Sequence, residues 1–134
     1  MKTIHTSQII DTVEKLCIDA NVYLNHDIRD ALIKAQSLEE SEGAKSILQS
    51  LVENAEIAAR EGMAICQDTG MAIVFVTIGQ DVSIIGGSLT EAIQEGVRRG
   101  YKKGYLRSSI VGDPLIRKNT GDNTPAVIHY DMVE

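Results

Sequence analysis

The hydrophobic period of this chain changes partway along, and that change constrains the fold more than any other feature. Up to about residue 60 the apolar residues recur at helical spacing; from Met71 to Val76 they run without a break. Ile9, Ile10, Val13, Leu16, Cys17, Ala20 and Leu24 trace one face of a helix that Thr6 or Ser7 can cap. Ile28, Ala31, Leu32 and Ala35 trace a second helix, and Ala44, Ile47, Leu48, Leu51, Ala55 and Ala58 a third. In the third, Glu56 and Arg60 stand at i,i+4, and Gly62 is placed as the C-terminal cap. The run Met71 to Val76 is rich in β-branched residues and short, as expected of a strand buried on both faces. Gly79-Gln80-Asp81 turns into a second strand, Val82 to Ile85, and alternation from Ala126 to Val133 marks a last one. Between them, Ser88 to Glu91 has capping-box spacing for a fourth helix. Its Gly96 and Gly100 would permit close approach to the sheet, and Arg98, Arg99, Lys102 and Lys103 form a solvated, dipole-matching end.

Because helical period dominates before Cys66 and strand signals follow it, the expected class is α+β. The predicted architecture is an N-terminal helical layer packed on a small mixed β-sheet, with one further covering helix. At 134 residues one domain is expected, helical over 1–62 and made of strands, a helix and loops over 63–134. A formal net charge of -6 argues against a nucleic-acid partner, which needs a surplus of Lys and Arg. Two cysteines, Cys17 and Cys66, are too few for a disulfide framework. With no signal-peptide run and no long apolar span, the expectation is a soluble, cytoplasmic protein without a membrane partner.

Ile65-Cys66-Gln67-Asp68-Thr69-Gly70 places a soft metal ligand, an amide, a carboxylate, a hydroxyl and a turn glycine in succession, just ahead of the apolar strand. Gln and Asp beside a thiol are a poor way to build a core, because both are costly to bury without partners. Composition alone leaves a buried cysteine before an ordinary polar turn as the competing reading. Further on, Leu106-Arg107-Ser108 is followed by Asn119-Thr120-Gly121-Asp122-Asn123-Thr124-Pro125-Ala126, a segment dense in turn-forming residues. Cys17 lies on a helix stripe and reads as core, while His5 and His26 read as surface residues. His129, alternating with apolar neighbours, reads as a hydrogen-bonded sheet residue.

With these three motifs in this order, the sequence resembles the iron-sulfur-dependent hydro-lyases: the class I fumarases and the L-tartrate dehydratases, in their α subunit or N-terminal half. The resemblance runs from about Ser41 to Glu134 and more loosely through the first two helices. It implies reversible dehydration of a small hydroxy-dicarboxylic acid on a [4Fe-4S] cluster held by three thiolates, one iron remaining open as a Lewis acid. Cys66 then matches one cluster ligand. Gln67 and Asp68 match substrate contacts, Asp68 being the catalytic carboxylate. Arg107 matches the fork that receives a substrate carboxylate. Asn119, Thr120, Asp122 and Asn123 form a candidate site loop. A family α subunit is roughly twice this length, so the resemblance also implies a remaining part of that subunit, bearing the other cluster cysteines, and a β subunit as partners. Two rival readings stay open: a non-catalytic fragment or assembly module with the family fold, and a cysteine-nucleophile enzyme using Cys66 with His129.

Overall fold

The computed structural model describes residues 2–134, in which the chain forms two compact units. One unit comprises the N-terminal residues to Ile18 together with Gln67–Glu134; the other is Asp19–Cys66. Helix α1, Thr6–Val22, contributes to both.

The Asp19–Cys66 unit holds α2, His26–Leu38, and α3, Glu42–Glu61. Helix α3 is capped at both ends, at Gly62 as expected. The Ser41 hydroxyl accepts the Ala44 amide at 3.4 Å, and Gly62 takes the left-handed conformation with φ 66° while its amide bonds Ala58 O. Ala55 and Ala58 are buried, but Ile28, Ile47 and Leu51 of the expected stripes stay exposed. The expected Glu56–Arg60 pair does not form. Glu56 accepts from Arg29 of α2 at 2.9 Å, and Arg60 pairs with the adjacent Glu61.

Among the described residues the other unit contains four strands: β1, Lys2–His5; β2, Ile73–Gly79; β3, Val82–Ile85; and β4, Val127–Val133. Its remaining helix is α4, Leu89–Lys103. The class is α+β as expected, but the single mixed sheet is replaced by two parallel pairs, β1 with β3 and β2 with β4. Register runs from Lys2 opposite Val82 to His5 opposite Ile85, and from Ile73 opposite Val127 to Gly79 opposite Val133. Strand β2 is not buried on both faces. Val74, Val76 and Ile78 turn inward, while Ile73 and Phe75 are 52% and 77% exposed. On the same outer face His129, a residue of the β2–β4 ladder, stacks its ring on Phe75 with centroids 4.9 Å apart.

Helix α4 supplies most of the core of this unit: Ala92, Ile93, Gly96, Val97, Gly100 and Tyr101 are buried. Its glycines approach α1, not the sheet. A Cβ on Gly96 would lie 2.6 Å from Val13 Cβ and 2.8 Å from Ile10 O, and one on Gly100 would lie 2.8 Å from Cys17 Cβ and from Glu14 O. Close packing here leaves no space for a methyl group. Gly96→Ala should therefore cost about 1–3 kcal/mol despite the better helix propensity of alanine. Its denaturant midpoint should fall relative to the parent chain, and an unchanged or higher midpoint would contradict the close crossing.

Candidate active site

The turn that follows Cys66 is held by its neighbours in the larger unit. Asp68 Oδ1 accepts the Gly70 amide at 3.3 Å, an Asx-type turn closed by Gly70 at φ 61°. The Thr69 hydroxyl donates to Arg107 O at 2.9 Å. Tyr101, on the buried face of α4, donates its phenolic hydrogen to Thr69 O at 3.0 Å. Asn123 Nδ2 donates to Gly70 O at 3.1 Å, and its Oδ1 accepts the Ser109 and Ile110 amides at 2.6 and 3.1 Å. The segments carrying Asp68, Arg107 and Asn123 thus meet at one corner, although 53 residues separate Gly70 from Asn123.

The side chains fall into two groups. Gln67, Asp68 and Arg107 are exposed. Asn123 is fully buried, and so belongs to the framework rather than to any ligand-facing surface. Asn119 is also tied inward: its Nδ2 donates to Ser108 O at 2.8 Å, and its Oδ1 accepts the Gly121 amide at 2.7 Å. The Thr120 hydroxyl donates to Ile110 O at 3.3 Å. Asp122 Oδ2 accepts from Arg98 Nε at 2.9 Å, and Oδ1 accepts both the amide and the hydroxyl of Thr124. A cleft of about 500 Å³ is lined by Arg98, Tyr101, Lys102, Tyr105, Ser108 and Asp122, among others, but not by Gln67, Asp68 or Arg107.

The basic end of α4 is not simply solvated. Arg98 pairs with Asp122 and Glu95, Arg99 with Glu95 at 2.7 Å, and Lys103 with Glu14 at 2.6 Å. Arg98 thereby pins the Asn119–Pro125 loop to the helix, a role that the charge pattern alone does not reveal. Tyr101 was more accessible to sequence reasoning. It falls at i+4 from Val97 and i+8 from Ile93, and a tyrosine on an apolar stripe usually finds a partner for its hydroxyl.

The Thr124 hydroxyl, with Arg98, holds the Asp122 carboxyl down to about 2, against an opposing pull from partial burial. A carboxyl lowered on folding stabilises the fold above its unfolded-state value and loses that contribution as pH falls through its folded value. Between about pH 4 and pH 2 the parent chain should therefore lose stability that Asp122→Asn does not lose. Acid titrations of the two proteins, followed by circular dichroism, should differ in slope across that window. Parallel curves would remove Asp122 as the cause.

Cys66 is the last residue of the Asp19–Cys66 unit and is exposed. Cys17 is partly buried on α1, and burial pushes its thiol up to about 11. Thiolates are the form that binds iron, so a raised, partly buried thiol makes Cys17 a poor ligand. Among the described residues no cluster of three or more His, Cys, Asp or Glu side chains is arranged to hold a metal ion. No helix of the described residues is long and apolar enough to cross a membrane.

Residues 10–134 match the family described as fumarate hydratase (Fumerase), and the chain belongs to it. It is similar to a Methanocaldococcus jannaschii protein provisionally named L(+)-tartrate dehydratase subunit alpha, being 36% identical over 130 residues. That alignment covers 92% of this chain and 45% of the relative. The chain is also 39% identical over 98 residues to the anaerobic class I fumarate hydratase of Escherichia coli, covering 72% of this chain and 18% of that protein. To the aerobic class I enzyme of the same organism it is 38% identical over 98 residues, again covering 72% of this chain and 18% of that protein. This chain therefore spans less than half the length of these relatives.

Proposed function

We propose that this chain forms part of a cytoplasmic iron-sulfur hydro-lyase that reversibly adds water to, or removes it from, a small hydroxy-dicarboxylic acid of the fumarate/malate or L-tartrate kind. One observation carries the reading. In a member of the fumarate hydratase family, the turn bearing Asp68 is fastened to the segment bearing Arg107 by the 2.9 Å bond from the Thr69 hydroxyl, while both functional side chains stay exposed. A carboxylate and a guanidinium presented from one fastened corner suit a substrate with a hydroxyl and a carboxylate on adjoining carbons.

Within that reading Arg107 receives a substrate carboxylate through its planar fork, and the Gln67 amide orients the hydroxyl or a second carboxylate. Asp68 holds the hydroxyl or takes part in proton transfer. Cys66 supplies one ligand of a [4Fe-4S] cluster, whose open iron, when the cluster is bound, contributes Lewis-acid activation of the leaving hydroxyl. Two further thiolates and the completed site are supplied by the remainder of an α subunit, acting with a β subunit. By themselves the 134 residues are expected to hold no stable four-iron cluster and to show no dehydratase activity, since a partly buried helix cysteine and one exposed cysteine cannot provide three thiolates.

The test compares the complete protein, assembled with its partner and reconstituted anaerobically with iron and sulfide, against the isolated chain. Each is offered malate, fumarate and L-tartrate. Turnover confined to the complete protein is the expected result. Turnover by the iron-free isolated chain, or no turnover of any of the three acids by the complete protein, would defeat the reading.

A further inference from the structure

The geometry points to Asn123 as the positioning residue that sets the spacing between Asp68 and Arg107. What that spacing serves rests on the function proposed above; the link itself rests on the bonds alone. Asn123 has no exposed surface and holds φ at 58°, a left-handed conformation that asparagine tolerates better than most residues. Its carboxamide spans the corner. Nδ2 donates to the carbonyl of Gly70, two residues after Asp68, and Oδ1 accepts the amides of Ser109 and Ile110, two and three residues after Arg107. The Thr69 hydroxyl, one residue after Asp68, makes the second link by donating to the Arg107 carbonyl. Two side chains thus tie the same pair of segments.

The chemistry at position 123 is specific. Only a side chain with both an acceptor and a donor at this reach satisfies two amides and a carbonyl together. An aspartate keeps the acceptor for Ser109 and Ile110 but presents no donor to Gly70 O, which is left facing a buried negative charge. A leucine of similar volume orphans the Ser109 and Ile110 amides and leaves Gly70 O only the 3.5 Å contact from the Tyr101 hydroxyl. Asn123 is itself held in place: Asp122 is anchored to Arg98 of α4, and Asn119 is closed onto Gly121 and Ser108. Because Asn123 is buried and both ends of its amide are engaged, it acts through Asp68 and Arg107 and not on the substrate.

Asn123→Asp and Thr69→Val in the complete protein test the assignment with two readouts. Amide hydrogen exchange across Asp68–Gly70 should quicken by about tenfold in Asn123→Asp, because the turn loses the tie made by Asn123, with iron content unchanged. KM for the hydroxy-dicarboxylate should rise by about fivefold or more in both variants, with kcat changed much less, because two contacts that grip one substrate are no longer held at a fixed separation. A merely structural role would lower the active fraction and leave KM alone. Unaltered exchange at Asp68–Gly70 would overturn the link, and a loosened turn with an unchanged KM would overturn its role in positioning. If Asn123→Asp does not fold, exchange at the Ser109 and Ile110 amides of the wild-type protein decides the Asn123 link, since their bonds to Oδ1 should protect them and unprotected amides would overturn it, while Thr69→Val reads the positioning role through KM. A complete wild-type protein that converts no hydroxy-dicarboxylate would instead defeat the functional reading, and the exchange measurement would then decide the Asn123 link by itself.

Discussion

Cys66→Ser in the complete, anaerobically reconstituted protein should lose the visible absorbance of the cluster and all turnover together. A serine hydroxyl remains protonated where a cysteine yields thiolate, and iron-sulfur clusters are held by thiolates. Few substitutions change so little in volume while removing so much chemistry. The fold should hardly notice: Cys66 is exposed, and exposed replacements usually stay within about 0.5 kcal/mol. A comparison with Cys17→Ser sharpens the result. Cys17 is partly buried on α1 and faces Gly100 of α4, so its replacement should lower stability and leave iron content as it was. Normal iron content and activity in Cys66→Ser would remove Cys66 from the site.

Arg107→Lys should keep the iron and lose substrate handling, with kcat/KM falling by about 10- to 100-fold, the loss expected when a charge-assisted hydrogen bond is removed. An ammonium retains the charge but cannot offer two parallel donors to one carboxylate. The architecture of the corner should survive, because Thr69 bonds the backbone carbonyl of Arg107 and not its side chain. Steady-state kinetics with paired iron analysis checks both halves of the expectation. An unchanged KM would place Arg107 away from the substrate; a lost cluster would make its role structural.

Local signals in this sequence were legible because they depend on neighbours in the chain. Ser88 caps α4 as its spacing predicts, Gly62 adopts the left-handed cap of α3, and Val82 to Ile85 is a strand from end to end. Pairing was not legible. A turn at Gly79–Asp81 suggests that β2 and β3 belong to one sheet, yet β2 pairs with β4 and β3 with the short strand Lys2–His5. Four residues with a lysine and a histidine at the ends carry too little pattern to be recognised as a strand. The continuous apolar run also misled, since period alone cannot tell two buried faces from one buried and one exposed. At the corner, the resemblance grouped Gln67, Asp68 and Arg107 with a loop that includes Asn123, but only coordinates distinguish exposed Asp68 from buried Asn123. A buried asparagine and a solvent-facing one look alike in a loop rich in turn residues.

The parallel pairing of β2 with β4 has a consequence for synthesis on the ribosome. Ile73 pairs with Val127, so β2 emerges a full 54 residues before the strand that completes it. At ordinary elongation rates that interval is roughly 3–10 s, far longer than a helix needs to form. Throughout it, Ile73, Phe75 and their apolar neighbours have no strand partner, whereas α2 and α3 precede them in the chain and pack on each other. Nascent chains arrested just before Val127 should therefore bind hydrophobic chaperones, and chains extended past Val133 and clear of the exit tunnel should release them.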